Sequence, residues 1–344
     1  MNFNFFKNKS FAIDLGNNNT LVSDDQRRIL LSQPSCIVFD SGGHTVKAVG
    51  ERAFNMFEKN HEELKPVRPV RGGVIADYDS ASKMIRAMLG EVYSSRTFLH
   101  GYNTIISGVP FYTTEVERRA LRDALDQFSA RNTYLLYEPL AAALGLGLDI
   151  REPNGKMVID IGGGITEIVV ISLSGIAAFQ SIKIAGDTFD EAIQDYFRRQ
   201  YNMAIGLRTA EQIKINVGAV LTELGDEPAP EPTYVRGKHL VEGIPVTRKI
   251  DHREVASILE KSVSSIEHAV VQTLETCPPE LAADIYQNGI HITGGNALLR
   301  GLKQRFESKI RIPVHIDDEA LLSVSKGMAT VLADTKKYRS VIFN

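Results

Sequence analysis

The stretch Val158-Ile-Asp-Ile-Gly-Gly-Gly-Ile-Thr-Glu-Ile-Val-Val170 decides how the rest of the chain is read. Met157 to Ile161 and Ile168 to Ile171 are apolar runs rich in β-branched residues, the composition of strands buried in a sheet. Gly162, Gly163 and Gly164 lie between them without a Cβ, so the backbone there can bend sharply and present its N–H groups to an anion. The Thr166 hydroxyl is a further candidate donor. Asp160 ends the first strand and is a candidate to hold a divalent ion through water, since Mg²⁺ on nucleotide phosphates keeps several waters and uses few carboxylates.

The same pattern opens the chain. Phe11-Ala-Ile-Asp-Leu-Gly-Asn-Asn-Asn-Thr-Leu-Val22 again runs strand, aspartate, glycine turn, strand. Asp14 and Asp160 are 146 positions apart, one per half of 344 residues. Two related halves, each with a phosphate loop and one acidic residue, predict a clamp on a nucleotide. Gly16, Asn17, Asn18, Asn19 and Thr20 form the first loop, and Gly162 to Gly164 with Thr166 form the second.

The length favours two domains. Hydrophobic residues at 43% and charged residues at 24% describe an ordinary globular protein. A formal net charge of −3 leaves no basic footprint, so nucleic acid is not expected as a partner. Cys36 and Cys277 have no metal-ligand spacing and read as reduced thiols. No apolar run reaches the ~20 residues that span a bilayer. The N-terminus has no secretory-signal pattern, and a cytoplasmic location is expected. Phe3, Phe5 and Phe6 beside Lys7 and Lys9 read either as a short amphipathic membrane foot or as a terminus leading into Phe11.

Strands alternating with helices place the chain in the α/β class. Thr114 and Glu117 have capping-box spacing, as do Thr209 and Gln212. Ala297 to Phe306 reads as one helix, and a loop from Ser94 to Asn103 carries Phe98 and Leu99. Glu138 stands where a strand gives way to a helix begun by Pro139. Two readings of it are open: orienting a water for attack on a γ-phosphate, or placing a negative charge at a helix N-terminus. Glu211 and Lys214, three apart on a helical face, read as contacts to a ribose or base, or as a solvated ion pair. Gly294-Gly-Asn296 follows a strand, where small residues let a flat ring approach the backbone.

Taken together, Asp14-Leu-Gly, Thr113-Thr-Glu-Val-Glu-Arg-Arg119, Glu138-Pro-Leu-Ala-Ala-Ala143, Asp160-Ile-Gly-Gly-Gly, Ala185-Gly-Asp187, Ile213-Lys-Ile215 and Thr293-Gly-Gly-x-Ala-Leu-Leu-Arg-Gly301 resemble the MreB family of bacterial actins, in the family's order over nearly the whole chain. The resemblance implies an actin-like (ribonuclease H-like) fold, two related halves each with a small inserted subdomain, around a nucleotide cleft. Subdomain IA would take 1–33 with 77–150 and 324–344, and IB 34–76. Subdomain IIA would take 151–185 with 251–323, and IIB 186–250.

It further implies ATP (or GTP) with Mg²⁺, a weak ATPase, and polymerisation of the chain with itself into double protofilaments. These would lie at the inner face of the cell membrane, with membrane and cell-wall elongation proteins as partners. By position, Asp14 and Asp160 would serve the metal and Glu138 the attacking water. Gly186, Asp187, Glu211, Gln212, Lys214 and the run Gly294, Gly295, Asn296, Ala297 and Leu298 would line the nucleotide. Phe98 and Leu99, with Phe3, Phe5 and Phe6, would meet the membrane.

Four residues at three places depart from the family: Asn17-Asn18 for threonine-alanine, Ile165 for threonine, and Asn296 for a third glycine. A filament scaffold with weakened hydrolysis and a metabolic kinase of the same superfamily are the alternative readings.

Overall fold

The computed structural model describes residues 10–57, 64–92 and 102–344. Phe3, Phe5, Phe6, Phe98 and Leu99 lie outside them. The chain forms two compact units. One holds the residues up to Glu152 with Leu173–Gly175 and Leu321–Asn344, and the other holds Pro153–Ser172 and Ile176–Ala320.

The first unit is built on a six-stranded sheet, ordered Ile342–Phe343, Ala130–Tyr137, Tyr102–Val109, Phe11–Leu15, Asn19–Asp24, Ile29–Pro34. The strand bearing Asp14 pairs antiparallel with its hairpin partner, Asp14 opposite Leu21, and parallel with Tyr102–Val109. Phe11, Ala12 and Ile13 are all buried, as expected of a strand covered on both faces. The second unit repeats this plan in five strands, ordered Gly175–Ile182, Thr166–Ser172, Lys156–Ile161, Ile290–Thr293, Val314–Ile316. Asp160 lies opposite Glu167 in the hairpin and beside Thr293 in the parallel strand. In each unit, then, an aspartate-bearing strand runs between its hairpin partner and a parallel neighbour.

Each sheet has its own core. Phe11, Ile13, Met84, Met88, Ile105 and Leu125 pack together in the first unit. In the second, the helix His252–Thr276 buries Val255, Leu259, Val263, Ile266 and Val270, the three-to-four spacing of one helical face. Asp251 caps it, accepting from the N–H groups of Arg253 and Glu254.

The Thr114–Glu117 capping box forms at the start of Glu115–Asp126. The one expected at Thr209 does not, because Gly206 is the N-cap and Leu207–Val217 has already turned. The single helix expected over Ala297 to Phe306 is instead a 3₁₀ turn, Gly295–Leu298, and a helix, Leu302–Ile310. Between them Arg300 bridges to Ala219 and Gly301 turns with φ +77°, a left-handed conformation open to glycine. The helix Gly186–Tyr201 carries Gly186 and Asp187 in its first turn. Among the described residues no helix is long and apolar enough to cross a membrane.

Candidate functional site

The two glycine turns are built alike. A Cβ on Gly16 would lie 2.7 Å from the carbonyl oxygen of Asn19, and one on Gly162 would lie 3.3 Å from that of Ile165, three residues on in both cases. The first glycine of each loop is therefore set by the turn's own backbone.

In the first unit the turn is held from outside. Ser35 Oγ donates to the carbonyl of Gly16 at 2.6 Å, and Ser35 N donates to that of Asn18 at 2.8 Å. Thr20 Oγ1 lies 2.8 Å from Ser35 Oγ, and both residues are buried. With the Ser35 proton given to Gly16, Thr20 is the donor to Ser35. This redirects Thr20: its hydroxyl braces the loop from within. Asn17 is buried, while Asn18, Asn19 and Asp14 are part-buried. Ser35 was missed in the sequence because nothing local ties it to a loop fifteen or more positions earlier.

Glu138 is the first residue of the helix Glu138–Gly145, with Pro139 in the opening turn and no side-chain cap on Tyr137. Its side chain lies over Gly108, where an added Cβ would come within 3.0 Å of Glu138 Cγ. An open recess adjoins it, bounded among others by Leu15, Gly108, Pro110, Thr113 and Glu117. The carboxylate thus stands in a helix's first turn and at the edge of a recess.

The second unit brings together most of its expected residues. Gly162 N donates to Ile165 O at 3.1 Å, closing the turn. The first turn of the helix Gly186–Tyr201 meets the loop: Gly186 N donates to Gly162 O at 3.1 Å and Asp187 N to Gly163 O at 2.8 Å. Asn296 Nδ2 donates to Gly162 O at 2.6 Å and is 3.3 Å from Ile161 O. Lys214 is buried, pairs with Asp190 at 3.0 Å and donates to Gly186 O at 3.2 Å. Burial, only partly offset by Lys214, pushes the Asp190 carboxyl up to about 7. Lys214 is thus committed to bracing Gly186, which removes the solvated-pair reading. Glu211 is part-buried on the same helix, and Gln212 and Leu298 are exposed.

Two further residues have partners inside the protein. Thr166 Oγ1 donates to Ile184 O at 2.6 Å, so its single proton is used there and not on a ligand. Gly294 has φ +84°, and a Cβ on it would lie 2.4 Å from both Asp160 Oδ1 and Ile161 O. Its bare backbone is what lets the Thr293–Gly294 corner lie against Asp160.

Desolvation lifts the Asp160 carboxyl to about 6. A hard dication beside it would compensate that cost, and a carboxylate is the ligand type such an ion takes. Among the described residues no three His, Cys, Asp or Glu side chains converge on one point. Asp160 would then be one of few protein ligands of such an ion.

The family described as MreB/Mbl protein matches residues 8–340. The cell shape-determining protein MreB of Escherichia coli K12 is 40% identical over 320 residues, 92% of this chain and 91% of that protein. Mbl of Bacillus subtilis 168, also a cell shape-determining protein, is 37% identical over 329 residues, 96% of this chain and 97% of its own. Among solved structures, MreB5 of Spiroplasma citri bound to AMPPNP superposes with a TM-score of 0.91 at 31% identity, covering 97% of this chain and 99% of that one. A chain of the MamK double helical filament, 19% identical, shares the fold with a TM-score of 0.75 over 95% of this chain and 99% of its own. With the family's sequence pattern present end to end and its actin-like fold reproduced, this chain belongs to the MreB/Mbl family.

Proposed function

We propose that this chain is a cell shape-determining cytoskeletal ATPase that polymerises with itself when it binds ATP. The observation that carries the reading is the repeated aspartate–glycine hairpin, present in both units with the same strand order around it. Similar proteins support it: MreB5 of Spiroplasma citri was solved with AMPPNP and with ADP.

In this reading Gly16 to Asn19 and Gly162 to Gly164 hold phosphates. Gly186 and Asp187 stand at a helix N-terminus beside the second loop, and Lys214 fixes them from behind. Glu211, Gln212, Gly294, Gly295, Ala297 and Leu298 line the nucleoside. Asp14 and Asp160 would hold Mg²⁺ through water, and the ion would neutralise charge on the phosphates. Glu138 orients a water and takes its proton as the water oxygen bonds to the γ-phosphorus and the bond to the β–γ bridging oxygen breaks, giving ADP and phosphate. The four-subdomain division belongs to the same proposal. So do double protofilaments at the inner membrane face, attachment through Phe98, Leu99, Phe3, Phe5 and Phe6, and work with cell-wall elongation proteins.

Calorimetric titration with ATP in Mg²⁺ buffer tests the nucleotide half of this proposal. One saturable site per chain, weakened by chelating the metal, is expected. No binding at millimolar ATP would overturn it.

A further inference from the structure

Asn296 occupies a position where the family resemblance expects glycine, and its side chain is not idle. The residue is buried, and its Nδ2 donates to the Gly162 carbonyl at 2.6 Å with the Ile161 carbonyl at 3.3 Å. Both neighbours are acceptors only, so the amino end of the carboxamide must face them. The Gly162 oxygen also accepts from Gly186 N at 3.1 Å, which fills both of its lone pairs. The space is shared closely: a Cβ on Gly186 would lie 2.8 Å from Asn296 Nδ2 and 3.1 Å from Lys214 Nζ.

A pinned carbonyl has a consequence one atom further along. In a planar trans peptide the C=O and the following N–H point in opposite directions. Fixing the Gly162 oxygen against Asn296 and Gly186 therefore fixes the direction of the Gly163 N–H. The next peptide is held the same way, since Gly163 O accepts from Asp187 N at 2.8 Å. Three successive glycines would otherwise leave these peptide planes free to rotate, at an entropic cost on binding an anion.

We propose that Asn296 is a positioning residue for the phosphate loop: its carboxamide orients the Gly163 N–H, so that this chain's affinity for nucleotide phosphates, and not for the nucleoside, depends on it. The proposal rests on the nucleotide-binding reading above. It reassigns Asn296 from the nucleoside, where the family resemblance puts it, to the loop on its other side.

The test compares ATP and adenosine as ligands of the full-length protein and of the variants Asn296→Ala, Asn296→Gly and Asn296→Asp, by competition against a fluorescent nucleotide. Losing the amide bonds in Asn296→Ala or Asn296→Gly should weaken ATP about three- to tenfold while adenosine changes by less than about twofold. Asn296→Asp keeps the size but turns carboxylate oxygens on two carbonyls, and should weaken ATP further than the alanine variant. It also keeps the test decisive if a truncated side chain fails to fold, which matching melting curves would check. Equal losses for ATP and adenosine would overturn the proposal in favour of a direct nucleoside contact, and unchanged ATP affinity would overturn it outright. A wild-type protein that binds neither ligand would instead remove the nucleotide reading beneath it.

Discussion

Ser35 Oγ donates to the carbonyl of Gly16 at 2.6 Å, and through this bond the residue just past the strand Ile29–Pro34 holds the first hairpin's turn. Ser35→Ala leaves that carbonyl and the Thr20 hydroxyl without their partner. The expected cost is about 1–3 kcal/mol of stability, read by urea unfolding. ATP affinity should fall with it. A variant as stable as wild type with full affinity would show that the turn holds itself.

Gly294 is where the second unit has least room. Its φ of +84° and the 2.4 Å approach to Asp160 Oδ1 both penalise a side chain. Gly294→Ala should lose about 2–4 kcal/mol, or fail to accumulate as folded protein. A melting midpoint within a degree of wild type would contradict the packing described.

Asp160 gives a pH-dependent signature. Its carboxyl protonates near pH 6 in the folded chain against an ordinary 3.8, because burial disfavours the charge. The fold therefore carries no charge-burial cost below about pH 4, an increasing one up to about pH 6, and the full cost above it. At roughly 1.4 kcal/mol per unit this is at most about 3 kcal/mol. Without metal, Asp160→Asn should be the more stable protein at pH 7 by up to that amount, with the gap closing toward pH 4. Denaturant titrations at three pH values would measure the gap, and one that does not change with pH would contradict the assignment.

Glu138→Ala and Glu138→Gln separate its two readings. As the group that orients the attacking water, its loss should slow phosphate release about 100-fold or more while ATP affinity stays within a few-fold. As a helix-end charge alone, its loss would lower stability by about 0.3–1 kcal/mol and leave turnover intact. Single-turnover phosphate release and a melt on the same samples decide between them.

The hairpins at Asp14 and Asp160 were legible because strand, acid and glycine turn are encoded in a dozen consecutive residues. The parallel neighbours Tyr102–Val109 and Ile290–Thr293, which complete the shared strand order, are distant pairings that no local stretch encodes. Ser35 was not legible, since its work is done on Gly16 and Asn18 across a strand pairing. The same limit hid the partners of Thr166 and Lys214, whose side chains looked free for a ligand until Ile184 and Asp190 were placed beside them. The 297–306 segment misled because its apolar spacing suits a helix, whereas the Arg300 bridge to Ala219 is a tertiary contact that breaks it. Thr209 misled in the opposite way: its capping spacing is intact, but the helix had already begun at Leu207.

If ATP binding drives self-assembly, high-speed pelleting with negative-stain imaging will show it, run with ATP and Mg²⁺ and without nucleotide while released phosphate is followed. Paired filaments in the pellet only with nucleotide, accompanied by phosphate release, are the predicted result. A protein that binds ATP yet stays in the supernatant under every condition, with or without lipid vesicles, would show that nucleotide binding does not drive assembly.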